Sequence, residues 1–174
     1  MGVEIERKFL LAGDGWRELE QRSERIAQGY LVNAAAIGAG HAKCSVLVRI
    51  SGDEAWLNIK SATLGIHRHE FEYPVPLADG EHLLHELSDG ILEKIRHHVM
   101  VDGAHFEIDE FLGDNAGLIV AEVELPSTNA AFPRPDWLGI EVSELGRYYN
   151  VNLIDRPYAR WTASEREGKE DASC

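Results

Sequence analysis

The chain of 174 residues has few cysteines and no long apolar run. Its two cysteines, Cys44 and Cys174, are too few for a disulfide framework, and their spacing suits no metal site. No run approaches the roughly 18 apolar residues that a membrane-spanning helix needs, and the first residues contain no apolar signal core. From these absences we expect a soluble protein of the cytoplasm that binds no membrane.

Basic residues are also scarce, because 17 Lys and Arg face 30 Asp and Glu and give a net charge of −13. This balance excludes a broad surface for nucleic acid or anionic lipid. Gly38-Ala39-Gly40 is not part of a phosphate-binding loop, since no GxGxxG or Walker pattern surrounds it. A small anionic ligand requires only that some basic residues gather locally.

The sequence predicts a single domain over residues 1–163 and a disordered polar tail over 164–174. Turn signals such as Ser51-Gly52-Asp53-Glu54 and Asp102-Gly103 separate short segments with strand character. The predicted strands are 3–10, 25–33, 44–52, 54–62, 67–76, 91–101, 104–112 and 118–126. The predicted helices are 14–24, 79–89, with Asp79 as a possible N-cap, 136–150 and 155–162. A Gly/Ala-rich loop occupies 34–43.

Each predicted strand has an apolar face and a charged or polar face. In the first strand Glu4, Glu6 and Lys8 alternate with Ile5 and Phe9. The other polar faces carry Gln28, Tyr30, Arg49, Asn58, Lys60, Arg68, Glu70, Glu72, Lys94, Arg96, Glu107, Asp109, Glu122 and Glu124. An open sheet with one solvated side would show the same alternation.

Two features of these polar faces favour a closed structure over an open sheet. Strands one, five, seven and eight supply most of the carboxylates, strands three, four and six supply mainly Arg and Lys, and the Ser, Thr and Gln filler of a solvated sheet is sparse. Closure would also remove the exposed sheet edges. We therefore predict an α+β fold, an eight-stranded antiparallel closed β-barrel with a charged interior and helices packed outside. A carrier barrel of the lipocalin type would have an apolar bore instead.

A charged bore of this composition suits a polyphosphate. Crowded carboxylates repel one another unless cations are supplied, and Mg²⁺ or Mn²⁺ is the natural partner of oxygen ligands. Arg offers bidentate geometry to phosphate and Lys a mobile point charge. Metal and polyanion are therefore expected in the same bore.

The first strand, Glu4-Ile5-Glu6-Arg7-Lys8, resembles the N-terminal ExExK signature of the CYTH domain, also called the triphosphate tunnel metalloenzymes. The resemblance covers roughly residues 3–160, and the chain is most similar in length to short bacterial inorganic tripolyphosphatases. The signature is followed in order by Arg49, Lys60, Glu70, Glu72, Lys94, Arg96, Glu107, Asp109, Glu122 and Glu124. The resemblance implies a metal-dependent hydrolase of a triphosphate, with inorganic tripolyphosphate the favoured substrate.

The resemblance also implies roles for individual residues. The substrate-binding residues would be Lys8, Arg49, Lys60, Arg68, Lys94 and Arg96. The ligands of Mg²⁺ or Mn²⁺ would be Glu4, Glu6, Glu72, Glu107, Asp109, Glu122 and Glu124, and Asp109 is alternatively a partner that orients a base. The catalytic residues would be Lys94 at the leaving phosphate, Glu70 near the attacking water, and Tyr30 as a positioning group.

Several alternatives stay open at this point. A class IV-type adenylate cyclase or a thiamine triphosphatase would use the same tunnel, and a non-catalytic polyphosphate- or nucleotide-binding module would keep only the basic lining. The partner is a small-molecule triphosphate, and the outer face of the fifth strand is a candidate homodimer contact. A zinc site is not predicted, because His97 and His98 point to opposite faces of one strand, while His67 and His69 lie on an outer face.

Overall fold

The computed structural model describes residues 2–63 and 65–169, which form a closed antiparallel barrel with one additional strand. The strands are β1 (Gly2–Leu11), β2 (Glu20–Val32), β3 (Cys44–Ser51), β4 (Glu54–Ser61), β5 (His67–Val75), β6 (Ile91–Val101), β7 (Ala104–Phe111), β8 (Ile119–Glu124) and β9 (Leu138–Glu141). The α-helices are α1 (Ala34–Gly38), α2 (Leu77–Glu86), α3 (Asn150–Asp155) and α4 (Ala163–Arg166). No helix of the described part is long and apolar enough to cross a membrane.

The barrel closes through β1, whose two halves have different partners on one edge. The strand order is β5-β4-β3-β2-β6-β7-β8-β1, and residues 2–5 of β1 pair with β5 to complete the ring. The other half of that edge, from Phe9 to Leu11, pairs with β9. The predicted eight-stranded closed barrel is thereby confirmed. We call the edge of β1 that pairs with β5 and β9 the seam, and β9 extends it.

Two tight turns set the register of the hairpins that carry the site. Ser51 pairs with Glu54 across the turn between β3 and β4, and Gly52 adopts a φ of 55°. Asp102 and Gly103 have φ values of 47° and 83° and join β6 to β7, as the predicted Asp-Gly turn requires. Because a slip of one residue would exchange the two faces, these turns fix which side chains enter the bore.

The apolar core lies outside the barrel, between the strands and the segments that cover them. One cluster joins the outer face of β1, β6, β7 and β8 to Trp16 and Trp137. A second joins Leu92, Phe111 and Leu118 to Tyr148, Leu153 and Trp161 of the C-terminal segment, among others. Each large side chain buried here contributes roughly 1.5–3 kcal/mol. The apolar face of the strands therefore packs against the segments that cover the barrel, and the charged face lines the interior.

Two predicted helices are wrong. Only Gly15–Leu19 of the segment 14–24 is helical, as a 3₁₀ turn, because the residues from Glu20 onward pair with β6. The segment 136–150 instead contributes β9, a 3₁₀ turn at Gly146–Tyr148 and the start of α3, because the free half of the β1 edge takes Leu138–Glu141 as a strand.

Smaller differences concern the remaining helices and the tail. Helix α2 covers most of the predicted helix 79–89, but it begins after Pro76 rather than at Asp79. The segment 155–162 contains a 3₁₀ turn, Tyr158–Arg160, and the loop 34–43 contains α1. Helix α4 includes the first residues of the predicted disordered tail, 164–174, and a capping box between Thr162, just before the tail, and Glu165 begins this helix; residues 170–174 lie outside the described residues.

Candidate functional site

All eight barrel strands contribute to one cavity of about 1030 Å³. The charged faces of the strands line this cavity, as the alternation predicts. Its walls carry both acidic and basic side chains. The predicted site residues that line it are Glu4, Glu6, Lys8, Tyr30, Arg49, Lys60, Arg68, Glu70, Glu72, Lys94, Arg96, Glu107, Glu122 and Glu124. Asp109 is the predicted site residue that does not line it.

Lys8 lies between carboxylates from two strands. It pairs in register with Glu122 of β8, and its Nζ donates to Glu122 and, at 2.6 Å, to Glu6 Oε1. Burial disfavours the charged ammonium, but Glu122 and Glu6 outweigh it and raise the pKa of Lys8 above its usual value. Lys8 is therefore a fixed positive charge inside the cavity.

A second group of charges lies at the seam between β1 and β5. Glu4 pairs in register with Arg68, and the two side chains form an ion pair. Lys60 Nζ lies 3.0 Å from Glu70 and 3.8 Å from Glu4. Burial opposes ionisation of Glu70, but Lys60, Glu4 and Arg68 together outweigh burial and lower the pKa of the Glu70 carboxyl. Glu70 is thus an ionised acceptor beside bases that face the bore.

Lys94, Arg96 and Asp109 form the most deeply buried charge group of the site. Lys94 Nζ donates to Asp109, and Arg96 donates to both oxygens of Asp109 at 2.7 Å. Burial and the neighbouring Arg96 lower the pKa of Lys94, so its ammonium gives up a proton more readily than an ordinary lysine. Because both oxygens of Asp109 are already engaged, the geometry favours its role in orienting the bases over a role as a metal ligand.

Glu124 faces other carboxylates and forms no salt bridge among the described residues. It lies directly opposite Glu6 across β1 and β8, an arrangement that repels when both are ionised. Burial, Glu4 and Glu6 together raise the pKa of Glu124. Surplus negative charge built from oxygen donors fits a hard divalent cation such as Mg²⁺ or Mn²⁺, which would be held by Glu4, Glu6 and Glu124.

Tyr30 lies on the wall of the cavity as a neutral phenol. Gln28 Nε2 donates to the Tyr30 hydroxyl at 3.1 Å, so the phenolic hydrogen is free to point into the bore. Burial raises the pKa of Tyr30, which keeps that hydrogen in place. Tyr30 can therefore donate a hydrogen bond to an anionic ligand.

Sequence reasoning missed two features of the cavity. Tyr149, which lies between the 3₁₀ turn Gly146–Tyr148 and α3, contributes to the wall, and its hydroxyl accepts from Gly65 N and donates to Ser143 O. His98, His105 and Glu107 form a group whose potential ligand atoms all lie within 4.8 Å of one another. In the sequence His98 has His97 as its neighbour, whereas its partner in the structure is His105 of the next strand, two residues from Glu107.

The fold and the cavity define a class of protein, a closed antiparallel β-tunnel whose interior is lined by both acidic and basic side chains. A family model described as the CYTH domain matches residues 2–158. An inorganic triphosphatase of Acetivibrio thermocellus is 41% identical over 159 residues, which cover 91% of this chain and 97% of that protein. An inorganic triphosphatase of Nitrosomonas europaea is 35% identical over 156 residues, covering 87% and 96%.

A solved structure shows the same architecture. The crystal structure of an inorganic triphosphatase superposes with a TM-score of 0.61 at 33% identity and covers 87% of this chain and 93% of that one. The chain belongs to the CYTH domain family, and the resemblance found in the sequence is confirmed.

Proposed function

We propose that this chain is a divalent-metal-dependent triphosphatase whose favoured substrate is inorganic tripolyphosphate. The observation that carries the proposal is the enclosed cavity in which buried bases and surplus carboxylates face one another. A polyanion and a divalent cation would satisfy both sets at once. Its relatives bear the name inorganic triphosphatase, which favours this substrate over a nucleotide.

In the proposed complex the bases leave their present ion pairs and hold the phosphate oxygens. The carboxylates that lose these partners hold the cation. The substrate-binding residues are Lys8, Arg49, Lys60, Arg68, Lys94 and Arg96. The metal ligands are Glu4, Glu6, Glu122 and Glu124, with Glu72 and Glu107 at the margins of the set. When bound, divalent ions supply charge neutralisation at the phosphate oxygens.

Three residues act on the reacting atoms in this proposal. Glu70, which is ionised, orients the water that attacks phosphorus in line and takes its proton as the bond from the water oxygen to phosphorus forms. The bond from phosphorus to the leaving phosphate oxygen breaks, and Lys94, whose pKa is lowered by burial and Arg96, donates a proton to that oxygen. Tyr30 donates a hydrogen bond that positions the substrate.

The test is release of orthophosphate from tripolyphosphate, thiamine triphosphate and ATP in the presence of Mg²⁺ or Mn²⁺. We expect turnover of tripolyphosphate that is abolished in the double variant E4Q/E6Q. The matched control is E18Q/E81Q, which removes two exposed carboxylates outside the tunnel and should retain wild-type activity.

Other outcomes would assign the tunnel differently. Formation of cyclic AMP from ATP without phosphate release would identify a cyclase, and preferential cleavage of thiamine triphosphate would change the substrate. Tight metal-dependent binding of tripolyphosphate without turnover would identify a binding module.

The homodimer and the cytoplasmic location stay predictions. Tyr73 is exposed on the outer face of β5, where the sequence predicts the dimer contact.

A further inference from the structure

The hairpin of β6 and β7 presents two imidazoles and a carboxylate at one end of the cavity. His98 and Glu107 are directly opposite in the register of the hairpin, and His105 lies on the same face, two residues before Glu107. His105 and Glu107 line the cavity, whereas the His98 side chain is only 7% exposed. The Asp102-Gly103 turn fixes this register.

The two imidazoles already direct ring nitrogens at one another. His98 Nδ1 lies 2.9 Å from His105 Nε2, and the ring planes differ by only 4°. The second nitrogen of His98, Nε2, lies 2.8 Å from Glu24 Oε1. Because an ionised carboxylate only accepts, Nε2 of His98 carries the hydrogen, and in a neutral ring the lone pair of Nδ1 then accepts a hydrogen bond from Nε2–H of His105.

This arrangement resembles the surroundings of metal-bound histidines in general. A ligating imidazole usually donates its other N–H to a carboxylate, which fixes the tautomer and turns the lone pair toward the metal. Glu24 has this position, and its carboxylate is itself held by the hydroxyl of Ser51. The orientation of His98 is therefore set before any ion arrives.

We propose that His98 Nδ1, His105 Nε2 and the Glu107 carboxylate form a binding site for a borderline transition-metal cation such as Zn²⁺ or Co²⁺. Two imidazoles favour these ions over Mg²⁺, which prefers an all-oxygen set. His105 would supply its lone pair by moving its proton from Nε2 to Nδ1, which keeps the ring neutral, and its exposed ring would turn out of the hydrogen bond with His98 so that the ion fits between the two nitrogens. Three protein ligands leave a coordination position open toward the cavity.

This site shares Glu107 with the margin of the proposed Mg²⁺ ligands and is otherwise distinct from the carboxylates of β1 and β8, and it does not depend on the proposed triphosphatase activity. Arg96 connects the two sites, because it pairs with Glu107 and with Glu122 of β8. The site is therefore tested by metal binding rather than by turnover.

The first experiment is calorimetric titration of the metal-free protein with Zn²⁺ in excess Mg²⁺, which occupies the all-oxygen ligands. We expect one equivalent of Zn²⁺ to bind to the wild type and that equivalent to be lost in His105→Gln. His105 is exposed, so this variant should unfold at the wild-type temperature in EDTA. The matched control is His85→Gln, on the exposed surface of α2, which should bind Zn²⁺ like the wild type.

A second variant addresses the carboxylate behind His98. Glu24→Gln should weaken Zn²⁺ binding by about 10- to 100-fold, the usual effect of losing a partner of a ligating histidine. Co²⁺ should give the wild type a visible absorption band that His105→Gln lacks. The ¹⁵N shifts of His98 Nδ1 and His105 Nε2 in the wild-type protein should change on addition of Zn²⁺, a measurement that requires no variant.

Three results would overturn the proposal. The first is the absence of Zn²⁺ binding to the wild type in excess Mg²⁺. The second is unchanged binding by His105→Gln, which would place the ion on the carboxylates of β1 and β8. The third is a ¹⁵N response confined to histidines other than His98 and His105.

Discussion

At the scale of single residues, the tunnel depends on charges that are buried in pairs. Asp109 is fully buried, and its carboxylate pairs with two bases that line the bore, Lys94 and Arg96. A carboxylate in this position fixes where the two bases point. The sequence predicts that Asp109 lies on the charged face of its strand. The hydrogen bonds to both of its oxygens, however, follow from the register of β6 and β7.

Replacement of Asp109 by Asn should destabilise the protein at neutral pH by about 3–5 kcal/mol, because it leaves buried bases without their counterion. Burial opposes ionisation of Asp109, but Arg96 and Lys94 outweigh it and hold its pKa below the usual value of 3.8. The carboxylate therefore stabilises the fold above the pKa of the unfolded chain, and this contribution is lost as pH falls through the folded pKa. Urea unfolding of D109N and wild type from pH 7 downward measures it.

The gap between D109N and wild type should therefore shrink as the pH falls. The control is Asp53→Asn, in the exposed turn between β3 and β4, which should change the free energy of unfolding by less than about 0.5 kcal/mol. A gap that stays constant down to the acid transition would contradict the assignment.

At the scale of elements, β9 shows how a strand can form where the sequence predicts a helix. Trp137, Ile140, Leu145 and Tyr148 have helical spacing, yet Leu138–Glu141 pairs with the free edge of β1. Immediately afterwards Val142 N donates to Lys8 O at 2.8 Å, and Lys8 N donates to Ser143 Oγ at 2.9 Å. This segment therefore holds the backbone of a lysine whose side chain lies in the bore.

Gly139→Ala tests the seam directly. A Cβ at Gly139 would lie 2.6 Å from Leu10 O and 3.1 Å from Leu10 C, so the backbone of β1 or β9 must move. Overpacking of this kind should lower the free energy of unfolding by roughly 1–3 kcal/mol. Chemical denaturation measures the effect.

Gly38→Ala is the control, because a Cβ at Gly38 of α1 meets no atom within 4 Å. Alanine is the better helix former, so this variant should be at least as stable as the wild type. Equal stabilities for G139A and G38A would mean that β9 does not pack closely against β1.

At the scale of the whole molecule, the barrel encloses more negative charge than its own bases neutralise. Glu124 is the clearest sign of the surplus, since it opposes Glu6 and has a pKa raised by burial and by Glu4 and Glu6. In the metal-free protein, ionisation of Glu124 therefore opposes folding. Binding of a divalent cation would convert this cost into a stabilising interaction.

Glu124→Gln should raise the melting temperature in EDTA by about 1–4 °C, because it removes a like-charge cross-strand pair. Mg²⁺ should stabilise the wild type more than the variant. Because the folded pKa of Glu124 is raised, the metal-free wild type should lose stability as pH rises through the usual glutamate range, and E124Q should lack this loss. Thermal unfolding with and without Mg²⁺ measures both effects.

Glu81→Gln, on the exposed surface of α2, is the control for loss of one negative charge. It should respond to Mg²⁺ like the wild type. A wild type that is as stable in EDTA as in Mg²⁺, with E124Q no different, would show that the surplus charge is not the metal site.

The sequence by itself determined the eight strands of the barrel, apart from the first residues of β2, and the charged lining. A period of two is local, so Glu4, Glu6 and Lys8 share one face wherever the strand lies, and the same parity assigns Lys94 and Arg96 to the bore. The Asp102-Gly103 turn is also local, because its φ values depend on those two residues.

Only the tertiary structure decided which charges meet. The pairing of Lys8 with Glu122, the opposition of Glu6 and Glu124, and the approach of His98 to His105 depend on strand register and barrel closure. Strand β9 also depends on the tertiary structure, since backbone pairing with the free edge of β1 stabilises a strand where the local pattern predicts a helix. Contacts between residues distant in the chain are set by packing and by hydrogen bonds at open edges, which a local pattern does not encode.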